Sequence, residues 1–312
     1  MHNPVAGKAL CLSDGTRWCI RGDVEARSWV DSLGSIMSLQ PAKMGEVDCT
    51  IQLSPSGKLD RKESSLSGDA NFLLEKRAFS ILEPLVPEKW QLIDFKTLRI
   101  WYRKADNLFF CEINPIVNEN VRYVNLWRCI YTIYIHSIQH FGLPFHGAMI
   151  AKGDSAYILA GSGGVGKSTA CVRLPEDWKG CCDDESLVVS AGKQSFRAHP
   201  FPTWSEYLYR RSRKTWDVQS SWPLRAFFFI EQSTQDWVEP VEKGEAAGLI
   251  NRSAMQVCQR FLRILSVEDR RRLSLQIFAN ACEMARSIPA YRMGMTLTGR
   301  FWEMMLDVVG EG

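Results

Sequence analysis

Apolar and polar positions follow two different rhythms along the chain. Before about residue 115 the apolar residues come in short alternating runs separated by turn residues, as hairpin strands require. Ala9-Leu10-Cys11-Leu12, Ser13-Asp14-Gly15-Thr16 and Arg17-Trp18-Cys19-Ile20 spell strand, Asp-Gly turn and strand. Val47 to Leu53 alternates and stops at Pro55-Ser56-Gly57. Thr97 to Tyr102 and Leu108 to Ile113 predict a second hairpin around Lys104-Ala105-Asp106-Asn107. The polar, Ser/Gly/Lys-rich stretch from Ser54 to Ala70 predicts an exposed loop.

From Val121 the period lengthens. Val124, Trp127, Ile130, Tyr131, Tyr134, Ile135 and Ile138 recur at helical spacing, predicting one helix from Val121 to Phe141 closed by Gly142 and Pro144. Continuous apolar runs then predict buried strands at Phe145 to Ala151 and Ala156 to Ala160, joined by the turn Lys152-Gly153-Asp154-Ser155. Further strands are expected at Ser186 to Val189, Ser195 to His199 and Ala226 to Ile230. Two amphipathic helices follow, from about Gly244 to Leu265 and Val267 to Ser287, then a strand from Tyr291 to Leu297 and a helix from Arg300 to Val309. The expected fold class is α/β: a smaller α+β N-terminal domain over residues 1–120, then an α/β domain over residues 121–312. The first carries no catalytic pattern, so fold completion is its expected role and acceptor docking the alternative.

Composition narrows the classes. With 46% hydrophobic and 23% charged residues the chain reads as an ordinary globular protein. A formal charge of +3 gives no argument for nucleic acid or an acidic membrane surface as partner. Arg128, His136 and Gln139 interrupt the most apolar stretch short of the roughly 18 residues a membrane span needs. Ten scattered cysteines without C-x-x-C spacing read as reduced buried thiols, and the expected location is cytoplasmic. His136 and His140 stand at i, i+4, but without a Glu beside His136 they read as ordinary helix histidines.

The chemistry concentrates in Gly161-Ser162-Gly163-Gly164-Val165-Gly166-Lys167-Ser168, which fits G-x-x-x-x-G-K-[ST]. Tyr157-Ile158-Leu159-Ala160 precedes it as a strand and Lys167 to Arg173 follows as a helix, the context of a phosphate-binding P-loop. Glycines let successive N–H groups face one concavity, and the helix N-terminus adds partial positive charge. Gly161 to Thr169 is therefore the expected nucleotide site, for ATP or another nucleoside triphosphate with Mg²⁺. Lys167 is expected on the β- and γ-phosphates and the Ser168 hydroxyl on the metal. Asp183-Asp184-Glu185 follows fifteen residues after Ser168, immediately ahead of an apolar run. Alone it reads as a solvated turn; beside a P-loop, two adjacent carboxylates can divide metal binding and proton acceptance.

His146-Gly147 on a strand, the P-loop, and Asp183-Asp184 beyond its helix occur in an order that resembles the kinase domain of the bacterial HPr kinase/phosphorylase family. It is more specifically similar to divergent members found with peptide-modifying enzymes, such as lasso-peptide kinases and the SynChlorMet cassette protein. The resemblance covers roughly residues 122–230 and implies an HPr-kinase-like P-loop domain. It implies Asp183 as general base, His146 close to Asp183 to tune it, Lys167 on the phosphates, and Ser168 and Asp184 on Mg²⁺. It further implies a Ser or Thr hydroxyl of a peptide or small protein as acceptor, with a homo-oligomer as a possible assembly. Thr169 stands where HPr kinases carry Glu, and no arginine loop for dephosphorylation is recognisable, so transfer in the kinase direction alone is expected. A small-molecule kinase of the same fold and a non-catalytic nucleotide-sensing module stay open as alternatives. Arg210, Arg211 and Arg213 form a basic run that reads equally as a phosphate or acidic-peptide contact and as a solvated helix face.

Overall fold

The computed structural model describes residues 7–43, 47–55, 91–103, 107–114 and 117–310. They form a mixed α/β structure with two multi-stranded sheets. The first sheet contains β1 (Lys8–Cys11), β2 (Arg17–Gly22), β3 (Gln40–Pro41), β4 (Cys49–Pro55), β5 (Gln91–Asp94), β6 (Leu98–Arg103) and β7 (Leu108–Ile113) in the order β3-β1-β2-β4-β7-β6-β5. The Asp-Gly hairpin closes as expected, with Leu10 opposite Trp18 and Gly15 at a φ of 89°. β6 and β7 pair antiparallel, also as expected, while residues 104–106 of their turn lie outside the described residues. The Ser54 to Ala70 loop cannot be followed beyond Pro55, where the described residues stop. A helix that the periodicity reading passes over, α1 (Arg27–Ile36), lays Trp29, Val30, Leu33 and Ile36 into the core beside this sheet.

The single helix expected from Val121 to Phe141 is two: α2 (Glu119–Cys129) and α3 (Tyr131–Gln139), hinged at Ile130. Asn118 caps the first by accepting from the Val121 N–H at 2.9 Å. The apolar period runs through the break, so the side-chain pattern carries no mark of it.

The second sheet is built on β8 (Leu143–Lys152), β9 (Ser155–Ala160), β10 (Trp178–Cys182), β11 (Glu185–Ser190), β12 (Phe196–Pro200), β13 (Trp222–Gln232), β14 (Trp237–Pro240) and β15 (Ala290–Met295). Long β8 changes partners along its length: residues 143–146 pair with β11, residues 147–152 with β9. Gly147 sits at that change, where a Cβ would stand 3.0 Å from the Ile158 side chain and 3.1 Å from the Leu159 carbonyl, so any larger residue would push the neighbouring strand by a few tenths of an ångström. β9, β13 and β15 run parallel at the centre.

Both faces of that centre are buried, which explains continuous apolar runs such as Phe227-Phe228-Phe229-Ile230. Ile158, Phe227 and Phe229 face the two long helices α6 (Lys243–Leu262) and α7 (Val267–Ser287). Tyr157, Leu159, Phe228 and Ile230 face Ala170 of α4 (Lys167–Arg173) and Phe301 and Met305 of α8 (Phe301–Val309). A short helix, α5 (Trp204–Arg210), follows β12.

One hydrophobic core runs from Leu10, Trp18 and Ile51 of the first sheet, through Leu126, Ile133 and Tyr134, to Phe145, Val257 and Ile277. Polar ties reinforce it. The Ser13 N–H donates to His199 Nε2 at 3.1 Å, and the Trp216 N–H donates to the Ile36 carbonyl at 2.8 Å. Among the described residues no helix is long and apolar enough to cross a membrane, and all ten cysteines are free.

Candidate functional site

The glycine loop lies at the carboxyl end of central β9 and leads into α4, the edge at which open α/β sheets place ligand sites. Gly164 and Gly166 have φ angles of 77° and 112°, a region side chains avoid, and a Cβ on Gly163, Gly164 or Gly166 would meet nothing within 4 Å. The loop is thus an open cradle of backbone. Ser162, Ser168 and Thr169 are exposed on it.

Lys167 behaves differently, being only 7% exposed. Its Nζ donates to the carbonyls of Gly161 and Ser162, each at 3.0 Å, so the ammonium closes over its own loop. Burial lowers its pKa, while Asp184 and Asp183 pull in the opposite direction. The two carboxylates of the acidic cluster therefore lie within electrostatic reach of the loop lysine.

Asp183 and Asp184 occupy the turn between β10 and β11. Asp183 Oδ1 accepts from the Thr203 hydroxyl at 2.5 Å, at the start of α5. Asp184 Oδ1 stands 3.0 Å from His146 Nδ1, and its main-chain carbonyl accepts from the Gly147 N–H at 2.9 Å. Burial would raise Asp184; contact with His146, with help from Arg260 and Lys167, overcomes that and holds its carboxyl below the usual range. The partner expected for His146 was Asp183; its contact is with Asp184. Register is the cause, because β8 pairs with β11 with His146 opposite Glu185, next to Asp184.

Sequence reading gave Glu185 no role of its own, yet it is 0% exposed. Its Oε2 accepts from Tyr134 at 2.9 Å and Trp127 at 3.3 Å, and its Oε1 from Arg260 at 2.6 Å. The Arg260 guanidinium also lies 4.2 Å from the centre of the Trp127 ring. Burial lifts the Glu185 carboxyl to about 7 even though Arg260 pulls it down. The donors come from α2, α3 and α6, so this network anchors the Asp183–Asp184 turn to three helices. No short-range signal could have shown it.

His136 and His140 stack at 4.0 Å, and His140 Nδ1 lies 2.8 Å from the His136 carbonyl. Among the described residues no group of three or more His, Cys, Asp and Glu side chains could hold a metal. Mg²⁺ needs no such cage, since one or two carboxylates suffice when phosphate oxygens complete its shell. An exposed Ser168, an Asp184 held ionised, an open glycine cradle and an ammonium bound only to carbonyls fit a Mg-nucleotide.

Against known families, the model describing the SynChlorMet cassette protein ScmC matches residues 109–310. The chain belongs to this family. The match takes in every residue of the site just described, from Trp127 to Arg260, and begins within β7 of the first sheet. No curated protein matches the chain.

Proposed function

We propose that this member of the family is an ATP- and Mg²⁺-dependent, HPr-kinase-like P-loop kinase that phosphorylates a Ser or Thr hydroxyl of a peptide or small protein. The observation that carries the reading is the meeting of a strand–glycine loop–helix unit with two carboxylates that act on its lysine. Bound Mg-ATP would supply the transferable phosphoryl group and part of the charge neutralisation. Lys167 would exchange its loop carbonyls for phosphate oxygens, and Ser168 and Asp184 would hold the metal. Asp184 suits that task because its surroundings keep it ionised.

Asp183 is free of the His146 contact and oriented by Thr203. It would take the proton of the acceptor hydroxyl while the new O–P bond forms and the bond to the leaving ADP breaks. His146 acts on the metal-holding carboxylate and not on the base, which revises its part in the mechanism. The proposed transfer runs in the kinase direction, from ATP to the acceptor.

The test is transfer of label from γ-labelled ATP to Ser- and Thr-containing peptides, beside small hydroxylated metabolites. Label on a peptide hydroxyl that disappears in Lys167→Ala supports the reading. Transfer only to a metabolite makes the protein a small-molecule kinase. Mg-ATP binding without transfer to any acceptor makes it a nucleotide sensor.

A further inference from the structure

α5 and the segment after it form an exposed basic surface that starts at the proposed base. Thr203, which holds Asp183 at 2.5 Å, precedes the first residue of α5. The helix runs seven residues to Arg210, about 10 Å at 1.5 Å per residue. Arg211 then adopts a φ of 52° and turns the chain back. The Tyr207 hydroxyl donates to the Lys214 carbonyl, fixing the returning segment beside the middle of α5. Burial raises the pKa of the Cys171 thiol on α4; Asp183 adds to that rise and Lys214 opposes it, so both charges act on one spot beside the glycine loop.

Four cations project here, Arg210, Arg211, Arg213 and Lys214, all exposed. Glu206 pairs with Arg210 at 2.7 Å, and Glu119 pairs with Arg211. Among the described residues Arg213 has no carboxylate partner, and the Lys214 ammonium lies 5.4 Å from the centre of the Trp216 ring. The nearest acidic side chain downstream, Asp217, keeps its charge while accepting from the Ser220 hydroxyl, and the four cations still outnumber Glu119, Glu206 and Asp217. Tyr209, 82% exposed, stands in the middle of this surface. Among the described residues Arg213 and Lys214 pair with no carboxylate, and beside the open ring of Tyr209 they give this face a net positive sign.

We propose that α5 and residues 211–214 dock an acidic peptide segment that flanks the acceptor hydroxyl. The reading deepens the kinase assignment and rests on it. An extended peptide advances about 3.3 Å per residue, so two to four residues span about 7–13 Å, comparable to the length of α5 that leads from Thr203, at Asp183, to Arg210. Glutamate or aspartate that far from the acceptor residue pairs with the two cations that have no carboxylate partner among the described residues.

The experiment uses the full chain and three fluorescein-labelled serine peptides, identical except that their flanking positions are glutamate, glutamine or lysine. Fluorescence anisotropy reads binding without any need for transfer. The glutamate peptide is expected to bind at least about tenfold tighter than the glutamine peptide, and the lysine peptide more weakly still. The preference should fade as salt rises from about 0.1 to about 1 M. R213E/K214E should abolish or invert the order, while R271E on α7 leaves it intact. Equal binding of the three peptides, no binding of the glutamate peptide, or an unchanged order in R213E/K214E would overturn the proposal. Lys167→Ala separates the two readings, because it should lose transfer and keep the peptide preference. A preference in wild type without any transfer would sink the kinase and leave the docking surface standing.

Discussion

His146 Nδ1 stands 3.0 Å from Asp184 Oδ1, while the neighbouring Asp183 turns the other way to meet Thr203. One turn thus gives two adjacent carboxylates opposite surroundings. His146→Ala removes the largest influence that holds the Asp184 carboxyl low. The acid limb of the transfer rate against pH is expected to move to higher pH, with little change at the alkaline side. Asp183→Asn should slow transfer by about 10²–10⁴-fold with Mg-nucleotide binding nearly intact, whereas Asp184→Asn should weaken that binding. Calorimetry beside a transfer assay checks this, and equal defects in both variants would contradict the division.

Lys167 tests the loop itself. Lys167→Met removes the ammonium while keeping much of the buried stem, so transfer should fall by about 10³-fold or more. The loss of the bonds to the Gly161 and Ser162 carbonyls touches only the loop, and the thermal midpoint should move by no more than about 4 °C. A large drop in midpoint would mean that the lysine serves the fold.

Arg260 lies at the surface and reaches in to a fully buried Glu185, so removal of the two partners is asymmetric. Arg260→Met takes the cation from the fully buried Glu185 carboxyl, already lifted to about 7, so the acid takes up a proton at neutral pH and the cost in urea unfolding should be about 1–2 kcal/mol. Adding Glu185→Gln, which makes the group neutral at every pH, should recover part of that loss and remove its pH dependence. Arg260→Lys keeps a charge but not the flat contact with Trp127, and should fall between.

His199 contributes to the pH dependence of stability, opposed over the same range by Glu185, whose carboxyl is lifted from 4.5 to about 7 and so stabilises as pH falls. Its Nε2 accepts from the Ser13 N–H, so Nδ1 carries the proton and donates to the Val218 carbonyl at 2.8 Å. Burial lowers its pKa from 6.5 to about 4. At this site the unfolded chain takes up a proton at higher pH than the folded one, so the His199 contribution is full above about 6.5 and is lost as pH falls toward 4. At 1.36 kcal/mol per unit the loss is on the order of 3 kcal/mol. His136, lowered by burial and by His140, adds in the same direction. In His199→Asn, chemical denaturation across this range should give a shallower pH slope.

Alternation and turn chemistry reveal the hairpins at residues 8–22 and 98–113, and the glycine motif reveals its strand and helix. Those signals act over a few residues. The break at Ile130 is invisible because the apolar period continues through it. β10 is equally hidden: Trp178-Lys179-Gly180-Cys181-Cys182 has no clear rhythm, and the strand pairs with β8 mainly through its backbone. Within the site, the sequence offers Asp183-Asp184-Glu185 as three similar carboxylates in a turn. What distinguishes them is Thr203 for the first, His146 for the second and Trp127, Tyr134 and Arg260 for the third. Those partners lie 20 to 75 positions away, and only strand register and helix packing decide them.

The family match begins at residue 109, inside β7, and β7 has β4 on one side and β6 on the other. A border drawn by similarity therefore cuts through a sheet. Residues ahead of it must still mate with a strand on the matched side. Grafting the front of one relative onto the body of another exchanges half of a hydrogen-bonded ladder. Such chimaeras should express poorly when joined at residue 109 and improve when the junction moves past Ile113, so that the whole sheet travels together.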